Sequence, residues 1–298
     1  MKGLDVNVNA LVKAYRLGPI EVQALRGLSM DVKAGEIVAI IGPSGSGKTT
    51  LLNIVGGLDT ATAGTVRVGN KDVTTLASND LVDYRRKTVG HIFQNLNLIP
   101  TLTAAENIEL PMIALGTPSD RRHDRVEELL RIVALTDRRD HKPEELSGGE
   151  QQRIAMAAAL ANDAPVLLAD EPTGELDTAN AKIVVQYLVK VNKELGKTII
   201  MVTHDPTVAR ATDRILRIED GIIKMSLTPS EVITEGKATS YVDQLRARID
   251  EISAQLQQLD QDFKNGKVTG DEYTDKRTTL KQAQKSLKEE LHRMGVVT

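Results

Sequence analysis

Residues 42–49 carry the run Gly42-Pro43-Ser44-Gly45-Ser46-Gly47-Lys48-Thr49. This run fits the pattern GxxxxGK[ST], in which glycines let a tight loop aim its backbone N–H groups at phosphate oxygens. A strand-like apolar run, Ile37–Ile41, precedes it, and an apolar helix-like run begins near Lys48. The pattern predicts that Lys48 reaches the outer phosphates of a nucleotide and that the Thr49 hydroxyl holds Mg²⁺.

Composition narrows the class of protein. The chain has 298 residues, 41% of them hydrophobic and 27% charged, which is ordinary for a globular protein with one large domain and an appendage, or with two domains. The net charge of −3 gives no basic field for nucleic acid. The absence of cysteine excludes disulfides and fits a reducing compartment. We expect neither a membrane-spanning segment nor a signal peptide, because no apolar run is long enough.

Residues 1–225 alternate strand-like and helix-like stretches, which predicts an α/β fold around a largely parallel sheet. Three short apolar runs, each followed by a polar loop, are the buried-strand candidates: Ile37–Ile41, Val166–Ala169 and Thr198–Val202. Ligands of such sheets bind beyond the carboxyl ends of the strands. The stretch from Ala104 to Leu135 reads as helical, and we expect Pro111 and Pro118 to break it.

Composition changes near residue 225. Residues 226–238 read as a linker, and residues 239–298 as a helical hairpin or as two helices with other partners. Apolar residues recur at heptad spacing, first at Val242, Leu245, Ile249, Ile252, Leu256, Leu259 and Phe263, and then at Tyr273, Leu280, Ala283, Leu287, Leu291 and Met294. Between the two stripes, Asn265-Gly266 predicts a helix end and Thr269-Gly270-Asp271-Glu272 a capping box. Heptads this short often only pack on their own domain, and a dimer contact or a regulatory clamp is the functional alternative.

A pair of carboxylates follows the second buried-strand candidate. At the end of such a strand, Asp170 can orient Mg²⁺ through a water molecule. Glu171 is then placed to polarise an attacking water as general base. Two acidic residues also occur at strand ends that are merely exposed to solvent. The pair therefore indicates a catalytic site only together with the other motifs.

The segment Ser147-Gly148-Gly149-Glu150 predicts the start of a helix that includes Ile154–Leu160. Ser147 and Glu150 have capping-box spacing, in which each side chain accepts a hydrogen bond from the other residue's backbone N–H. A capped helix start flanked by glycines is also a good site for an anion.

The order of these motifs resembles that of the ABC (ATP-binding cassette) ATPases over residues 1–225. Residues 146–153, Leu146-Ser147-Gly148-Gly149-Glu150-Gln151-Gln152-Arg153, match the signature of that family. Tyr15 falls where the family has its adenine-stacking aromatic residue, and Gln94 matches the Q-loop glutamine. Leu176-Asp177 matches the D-loop, and Thr203-His204-Asp205 contains the switch histidine.

The resemblance implies a P-loop ABC nucleotide-binding domain with a parallel-sheet core, a small antiparallel β-subdomain and a helical subdomain. It assigns catalysis to Glu171, His204 and Lys48, and Mg²⁺ binding to Thr49, Gln94 and Asp170. The residues it assigns to ATP are Tyr15, Gly42, Pro43, Ser44, Gly45, Ser46, Gly47, Lys48, Thr49, Thr50, Gln94, Ser147, Gly148, Gly149, Glu150 and Asp177.

Three of these assignments have plainer alternatives. Tyr15 could be an ordinary strand tyrosine, and Gln94 a solvated loop residue. His204 could simply cap the helix that follows it. The order of the motifs favours the functional role for each.

Finer motifs resemble the bacterial and archaeal branch that includes macrolide exporters, lipoprotein-release systems and cell-division ATPases. These motifs are Val22–Gly27, Gly56–Asp59, Asn97–Thr103 and Leu168–Gly174. In that branch the ATPase is a separate chain that serves a membrane permease. The resemblance implies a homodimer in which Ser147, Gly148 and Gly149 of one copy close over ATP held by the other. It also implies a permease docked near Gln94 and residues 95–115, at the cytoplasmic face of the membrane.

Other functions share some of these motifs. A mechanotransmission ATPase, which controls an extracytoplasmic activity without moving a substrate, would have identical site residues. DNA-repair and chromosome-organising ABC ATPases insert a long coiled coil or zinc modules before the signature. Too few residues separate Gln94 from Ser147 for that coiled coil, and there is no cysteine for zinc. Translation-factor ABC proteins usually carry two cassettes, whereas this chain has one set of motifs.

Overall fold

The computed structural model describes residues 2–18, 20–174 and 176–229, and scattered residues from 249 to 284. The scattered residues are 249, 252, 253, 255, 256, 259, 260, 263, 273, 276–278, 280, 281 and 284. The chain divides into two compact units, Met1–Val232 and Ile233–Thr298. Within the part that is described, every helix is too short or too polar to span a lipid bilayer.

Ten strands lie in the described part of the first unit. They are β1 (Val6–Leu17), β2 (Ile20–Val32), β3 (Ile37–Ile41), β4 (Ala63–Val68), β5 (Lys71–Asp72), β6 (Val89–Ile92), β7 (Val166–Asp170), β8 (Thr198–Val202), β9 (Arg214–Glu219) and β10 (Ile222–Leu227). Seven α-helices accompany them in the same residues. They are α1 (Lys48–Val55), α2 (Ser78–Lys87), α3 (Ala104–Leu115), α4 (Ser119–Ile132), α5 (Gly148–Leu160), α6 (Thr178–Leu195) and α7 (Pro206–Ala209).

The strands form one six-stranded and one four-stranded sheet. The larger has the order β10-β9-β3-β8-β7-β6 and is parallel except for the β9–β10 pair. The smaller has the order β2-β1-β4-β5 and is antiparallel. The predicted parallel core, antiparallel β-subdomain and all three predicted buried strands are confirmed.

Both faces of the six-stranded sheet are covered, which explains why its central strands are continuously apolar. Along β7, Leu167 and Ala169 face a core shared with α3, α4, α5 and α6. The alternate residues Val166 and Leu168 face a second core shared with α1, α2 and the four-stranded sheet. This sandwich brings the carboxyl ends of β3, β6, β7 and β8 to one edge, where the polar motifs emerge.

The helical subdomain differs from prediction at one proline. Helix α3 continues through Pro111 and ends at Gly116, which has a positive φ of 78°. The expected break at Pro111 is therefore wrong, while the break at Pro118, the N-cap of α4, is confirmed. A proline inside a helix removes one backbone hydrogen bond. Here, burial of Ile108 and Met112 on either side of Pro111 holds the helix in place.

The second unit shows antiparallel contacts within its described residues. The rings of Phe263 and Tyr273 stack with their centroids 4.2 Å apart. Asp260 accepts from Arg277 at 3.3 Å, and Ser253 from Gln284 at 2.7 Å. These contacts pair residue 263 with 273, 260 with 277 and 253 with 284, so the two segments run antiparallel, as in a hairpin.

Several predicted features of the tail lie outside the described residues. They are the linker beyond residue 229, Asn265-Gly266, Thr269–Glu272, and the heptad positions Val242, Leu245, Ala283, Leu287, Leu291 and Met294.

Candidate functional site

The loop of residues 42–49 joins β3 to α1, as its sequence pattern predicts. Helix α1 begins at Lys48, and its N-cap Gly47 has a φ of +101°. A Cβ atom at Gly47 would lie 2.5 Å from the Ala24 carbonyl oxygen and 2.8 Å from Leu25 Cδ2. The loop is therefore pressed against β2 at this residue, and only glycine fits there.

Gly45 has a different environment in the same loop. Its φ is +76°, but a Cβ atom built there would have no neighbour within 4 Å. Gly45 thus borders open space, and the loop can approach a ligand with its bare backbone at this position.

Lys48 supplies a positive charge at the start of α1. Its side chain is only 9% exposed, and its ammonium group donates to the carbonyl oxygens of Gly42 and Pro43 at 2.9 and 2.8 Å. Carbonyl oxygens do not neutralise a full charge, so this buried cation favours an anion nearby. The buried hydroxyl of Ser46 has no hydrogen-bond partner among the described residues.

Asp170 ends β7 beside the loop. Burial raises the pKa of its carboxyl above the ordinary value, while the Thr49 hydroxyl acts in the opposite direction. The adjacent Glu171 carboxylate raises the pKa of Asp170 further, and Lys48 lowers it. The carboxylates of Asp170 and Glu171 and the hydroxyl of Thr49 together provide oxygen ligands, which are the type that Mg²⁺ prefers.

Glu171 and His204 face each other from the ends of neighbouring strands. His204 Nδ1 lies 3.2 Å from Glu171 Oε2. The backbone of Glu171 has a φ of +46°, a left-handed conformation that is uncommon outside glycine and clusters at functional sites. The Asp205 carboxylate, not His204, caps α7 by accepting from the Thr207 N–H at 2.7 Å. The plainer role considered for His204 is thereby removed.

Lys48, Thr49, Glu171 and His204 line one cavity of about 430 Å³ at the carboxyl edge of the sheet, whereas Pro43, Ser46 and Asp170 do not. Its lining consists of Ala24, Gly42, Ser44, Gly45, Gly47, Lys48, Thr49, Thr50, Gln94, Glu171 and His204. The exposed side chain of Gln94 enters from the loop after β6. No cluster of three His, Cys, Asp or Glu residues that could hold a metal occurs in the described part of the chain. Mg²⁺ that binds a triphosphate needs few protein ligands, and the oxygens of Thr49, Gln94 and Asp170 fit that requirement.

Tyr15 lies on β1, and it does not line this cavity. Its side chain is 36% exposed, and its hydroxyl donates to Asp59 Oδ2 at 2.7 Å. Burial raises the pKa of Tyr15, the Asp59 carboxylate adds to the rise, and the Thr50 side chain opposes it. Tyr15 is thus linked to the cavity through Thr50, which lines it.

The segment 147–150 begins α5, and the predicted capping box is confirmed. The Ser147 hydroxyl accepts from the Glu150 N–H, and Glu150 Oε2 accepts from the Ser147 N–H at 2.8 Å. Neither residue lines the cavity, nor do Gly148 and Gly149. The chain therefore does not bring this segment to its own 42–49 loop.

Asp177 is the N-cap of α6, where its carboxylate accepts from the backbone N–H groups of Ala179 and Asn180 at 2.9 Å. The hydrogen bond from Asn180 holds the pKa of Asp177 below its usual value. The D-loop assignment of Asp177 stays a prediction, and Glu175 in the same turn lies outside the described residues.

Sequence reasoning missed three residues around the site. Ala24 lines the cavity, and its small apolar side chain gives no sequence signal for such a role. Lys13 and Asp59 hold Tyr15, yet they lie 46 positions apart in the chain. Only the pairing of β1 with β4 places them together.

Comparisons with known proteins agree with this geometry. Residues 25–174 match the family model described as ABC transporter. The chain is 44% identical over 229 residues to the macrolide export ATP-binding/permease protein MacB of Brucella abortus, covering 77% of this chain and 35% of that protein. It therefore spans about a third of the length of the first macrolide export relatives. It is 49% identical over 212 residues to an uncharacterised ABC transporter ATP-binding protein of Thermotoga maritima, covering 71% of this chain and 90% of the relative.

A solved structure extends the likeness to the fold. The dimeric post-hydrolysis state of the ATP-binding cassette MJ0796 of Methanocaldococcus jannaschii, bound to ADP and Pi, is 42% identical with a TM-score of 0.70. The match covers 75% of this chain and 98% of that one.

Proposed function

This chain belongs to the ABC transporter family of ATPases, and on that premise we propose that it binds and hydrolyses ATP as the motor subunit of a membrane permease. One observation carries the proposal. Lys48, Thr49, Gln94, Glu171 and His204 converge on a single cavity from four different strand ends.

ATP would lie with its phosphates against the 42–49 loop. Backbone N–H groups, the N-terminal end of α1 and the Lys48 ammonium would take up the negative charge. Thr49, Gln94 and Asp170 would hold Mg²⁺, which would offset the negative charge of the phosphate oxygens. Catalysis would then rest on positioning and on charge stabilisation.

Glu171 and His204 would act on the reacting atoms. The Glu171 carboxylate is half-buried and aims toward His204 across the cavity mouth. It would accept a proton from the attacking water, while His204 orients Glu171 and contacts the γ-phosphate. In Glu171→Gln the amide cannot accept that proton. We expect ATP binding to remain and the steady-state hydrolysis rate to fall at least about a hundredfold. A wild-type rate in this variant would contradict the base assignment.

The active form would be an ATP-sandwiched homodimer. The 147–149 segment is exposed at Ser147 and Gly148 and does not reach the cavity of its own chain. A helix start of this kind attracts anions, and the segment is free to cover ATP held by a second copy. ATP binding would draw the copies together, and hydrolysis would release them.

The permease would dock on a second cavity, which we name the side groove. It has a volume of about 360 Å³ and is mainly apolar. Among its lining residues are Phe93, Leu98, Ile99, Leu110 and Pro111. Residues 96–99 of its lining follow Gln94 closely in the chain, so a movement of the Gln94 loop would reach a partner helix seated in the groove. We place the chain at the cytoplasmic face of the membrane through this contact.

We also propose that residues 1–225 belong to the ATPase domain, 226–238 to a linker and 239–298 to a helical hairpin. The end of the domain shifts by two residues from the predicted boundary, because β10 continues through Leu227. The antiparallel contacts between residues 253–263 and 273–284 support the hairpin. Deleting residues 239–298 tests its role. An unchanged hydrolysis rate and unchanged assembly would make it a passive tail.

The decisive experiment for the permease is an affinity pull-down of tagged Glu171→Gln from detergent-solubilised native membranes with Mg-ATP. We expect a polytopic membrane protein to co-purify. Adding Leu110→Glu in the side groove should abolish the co-purification. The matched control Ile183→Glu changes an equally exposed apolar residue on α6, outside the groove, and should keep it.

The captured partner also separates the candidate functions. A permease that carries a cargo-binding region would indicate transport, whereas one that controls an external enzyme would indicate mechanotransmission. A soluble dimer without any membrane partner would contradict the proposal.

A further inference from the structure

A polar cluster around Tyr15 is not used by the hydrolytic mechanism. Lys13 is only 8% exposed, and its ammonium donates to Asp59 Oδ1 at 2.6 Å and to the Thr60 carbonyl oxygen at 2.7 Å. The same ammonium lies 4.8 Å from the centroid of the Tyr15 ring. The Tyr15 hydroxyl donates to the other oxygen of Asp59.

We propose that Lys13 and Asp59 are positioning residues for nucleotide binding, which hold the Tyr15 ring in the orientation that stacks on the base. The inference rests on the proposed function, because it takes Tyr15 as the residue that contacts adenine. It assigns a positioning role to Lys13 and Asp59, which would contact neither the phosphates nor the reacting atoms.

The contacts hold the ring at two points. Asp59 fixes its hydroxyl edge, and Lys13 covers one of its faces. Tyr15 is nevertheless 36% exposed, so part of the residue stays accessible to a base. A ring held in this way loses little side-chain freedom when a base stacks on it, and preorganisation of this kind raises affinity.

The two oxygens of Asp59 have separate partners. Oδ1 accepts from Lys13 and from the Thr60 N–H, whereas Oδ2 accepts from Tyr15. Oδ1 thus stabilises the turn after α1, and Oδ2 acts on the ring. Tyr15→Phe removes the hydroxyl that donates to Oδ2 and keeps an aromatic ring for stacking.

The test compares Tyr15→Phe, Asp59→Ala and the double variant by steady-state hydrolysis. We expect Tyr15→Phe to raise the KM for ATP about three- to tenfold with little change in kcat, because only the ordering of one side chain is lost. Asp59→Ala also leaves the buried Lys13 ammonium without its carboxylate, so it should raise the KM at least as much. The double variant should be no worse than Asp59→Ala, because both changes break the same hydrogen bond. Inhibition by inorganic triphosphate, which has no base, should be unchanged throughout.

Several results would overturn the inference. These are multiplicative effects in the double variant, an unchanged KM in Tyr15→Phe, or an equal loss of triphosphate affinity. Asp59→Asn, which can keep the Oδ1 contacts, covers the case in which Asp59→Ala does not fold. Asp83→Ala, in the exposed pair with Lys87 on α2, is a matched control that should leave KM unchanged.

Failure of the proposed function would look different. In that case the wild-type protein would not hydrolyse ATP, or Lys48→Ala would hydrolyse it normally. Normal wild-type activity together with an unaffected Tyr15→Phe would remove only the role of Lys13 and Asp59.

Discussion

Two glycines of the 42–49 loop should respond in opposite ways to the same added methyl group. Both have positive φ, +76° at Gly45 and +101° at Gly47. A Cβ atom at Gly45 meets nothing within 4 Å, whereas one at Gly47 lies 2.5 Å from the Ala24 carbonyl oxygen. The comparison separates the stability of the loop from its ability to hold phosphate.

The expected magnitudes follow from these surroundings. Gly45→Ala carries only the backbone strain of a left-handed residue, about 1–2 kcal/mol of unfolding free energy. Gly47→Ala carries the same strain and adds overpacking against the backbone of β2, worth about 1–3 kcal/mol more. Gly47→Ala should therefore lose about 2–5 kcal/mol in total. Although Gly45→Ala is the more stable variant, it should bind the nucleotide more weakly than Gly47→Ala does. The reason is that the added methyl group at Gly45 fills the space left for phosphate.

The assays are urea unfolding without nucleotide and titration of the folded variants with Mg-ATP. We expect Gly45→Ala to unfold somewhat below the wild-type midpoint and to bind ATP much more weakly. Gly47→Ala should unfold at a clearly lower urea concentration. Equal destabilisation of the two variants, or wild-type ATP affinity in Gly45→Ala, would refute the reasoning.

Three further predictions concern groups that support the site. Tyr84 is fully buried and donates to the Val55 carbonyl oxygen at 2.7 Å, so Tyr84→Phe should lower the unfolding free energy in urea by about 1–2 kcal/mol. Asp177→Ala removes the cap of α6 and should lower the urea midpoint in the same assay, with a smaller shift in Asp177→Asn. The hydrogen bond from the Ser147 N–H holds the pKa of Glu150 below its usual value. The resulting stabilisation is present above the unfolded-state pKa and is lost as pH falls through the folded-state pKa. From about pH 7 to about pH 3, wild type should therefore lose more stability than Glu150→Gln, and equal losses would contradict the assignment.

Most of the fold could be predicted because its signals are local. The apolar runs at Ile37–Ile41 and Thr198–Val202 are buried on both faces of a parallel sheet, and short, continuously apolar runs are typical of such strands. The start of α1 at Lys48 follows from the loop pattern before it. The helix break predicted at Pro111 is wrong because the packing of α3 in the core outweighs the low helix propensity of proline.

The site was predicted less completely, for physical reasons. Motif order identifies Glu171 as a candidate, but it cannot reveal the left-handed backbone that aims this carboxylate at His204. The Asp59 carboxylate stands in the Gly56–Asp59 motif, yet its contact with Tyr15 depends on strand pairing between distant segments. Contacts of this kind require the three-dimensional structure.

The central claim is that each ATP site is completed by a second copy of the chain, and a mixing experiment tests it most directly. Lys48→Ala disables the loop, and Gly148→Asp places a negative charge at the exposed start of α5. Each variant alone should hydrolyse almost no ATP. In an equimolar mixture, mixed dimers contain one intact composite site, so the rate should recover to about a quarter of the wild-type rate. Normal hydrolysis by Gly148→Asp alone, or no recovery in the mixture, would contradict the account.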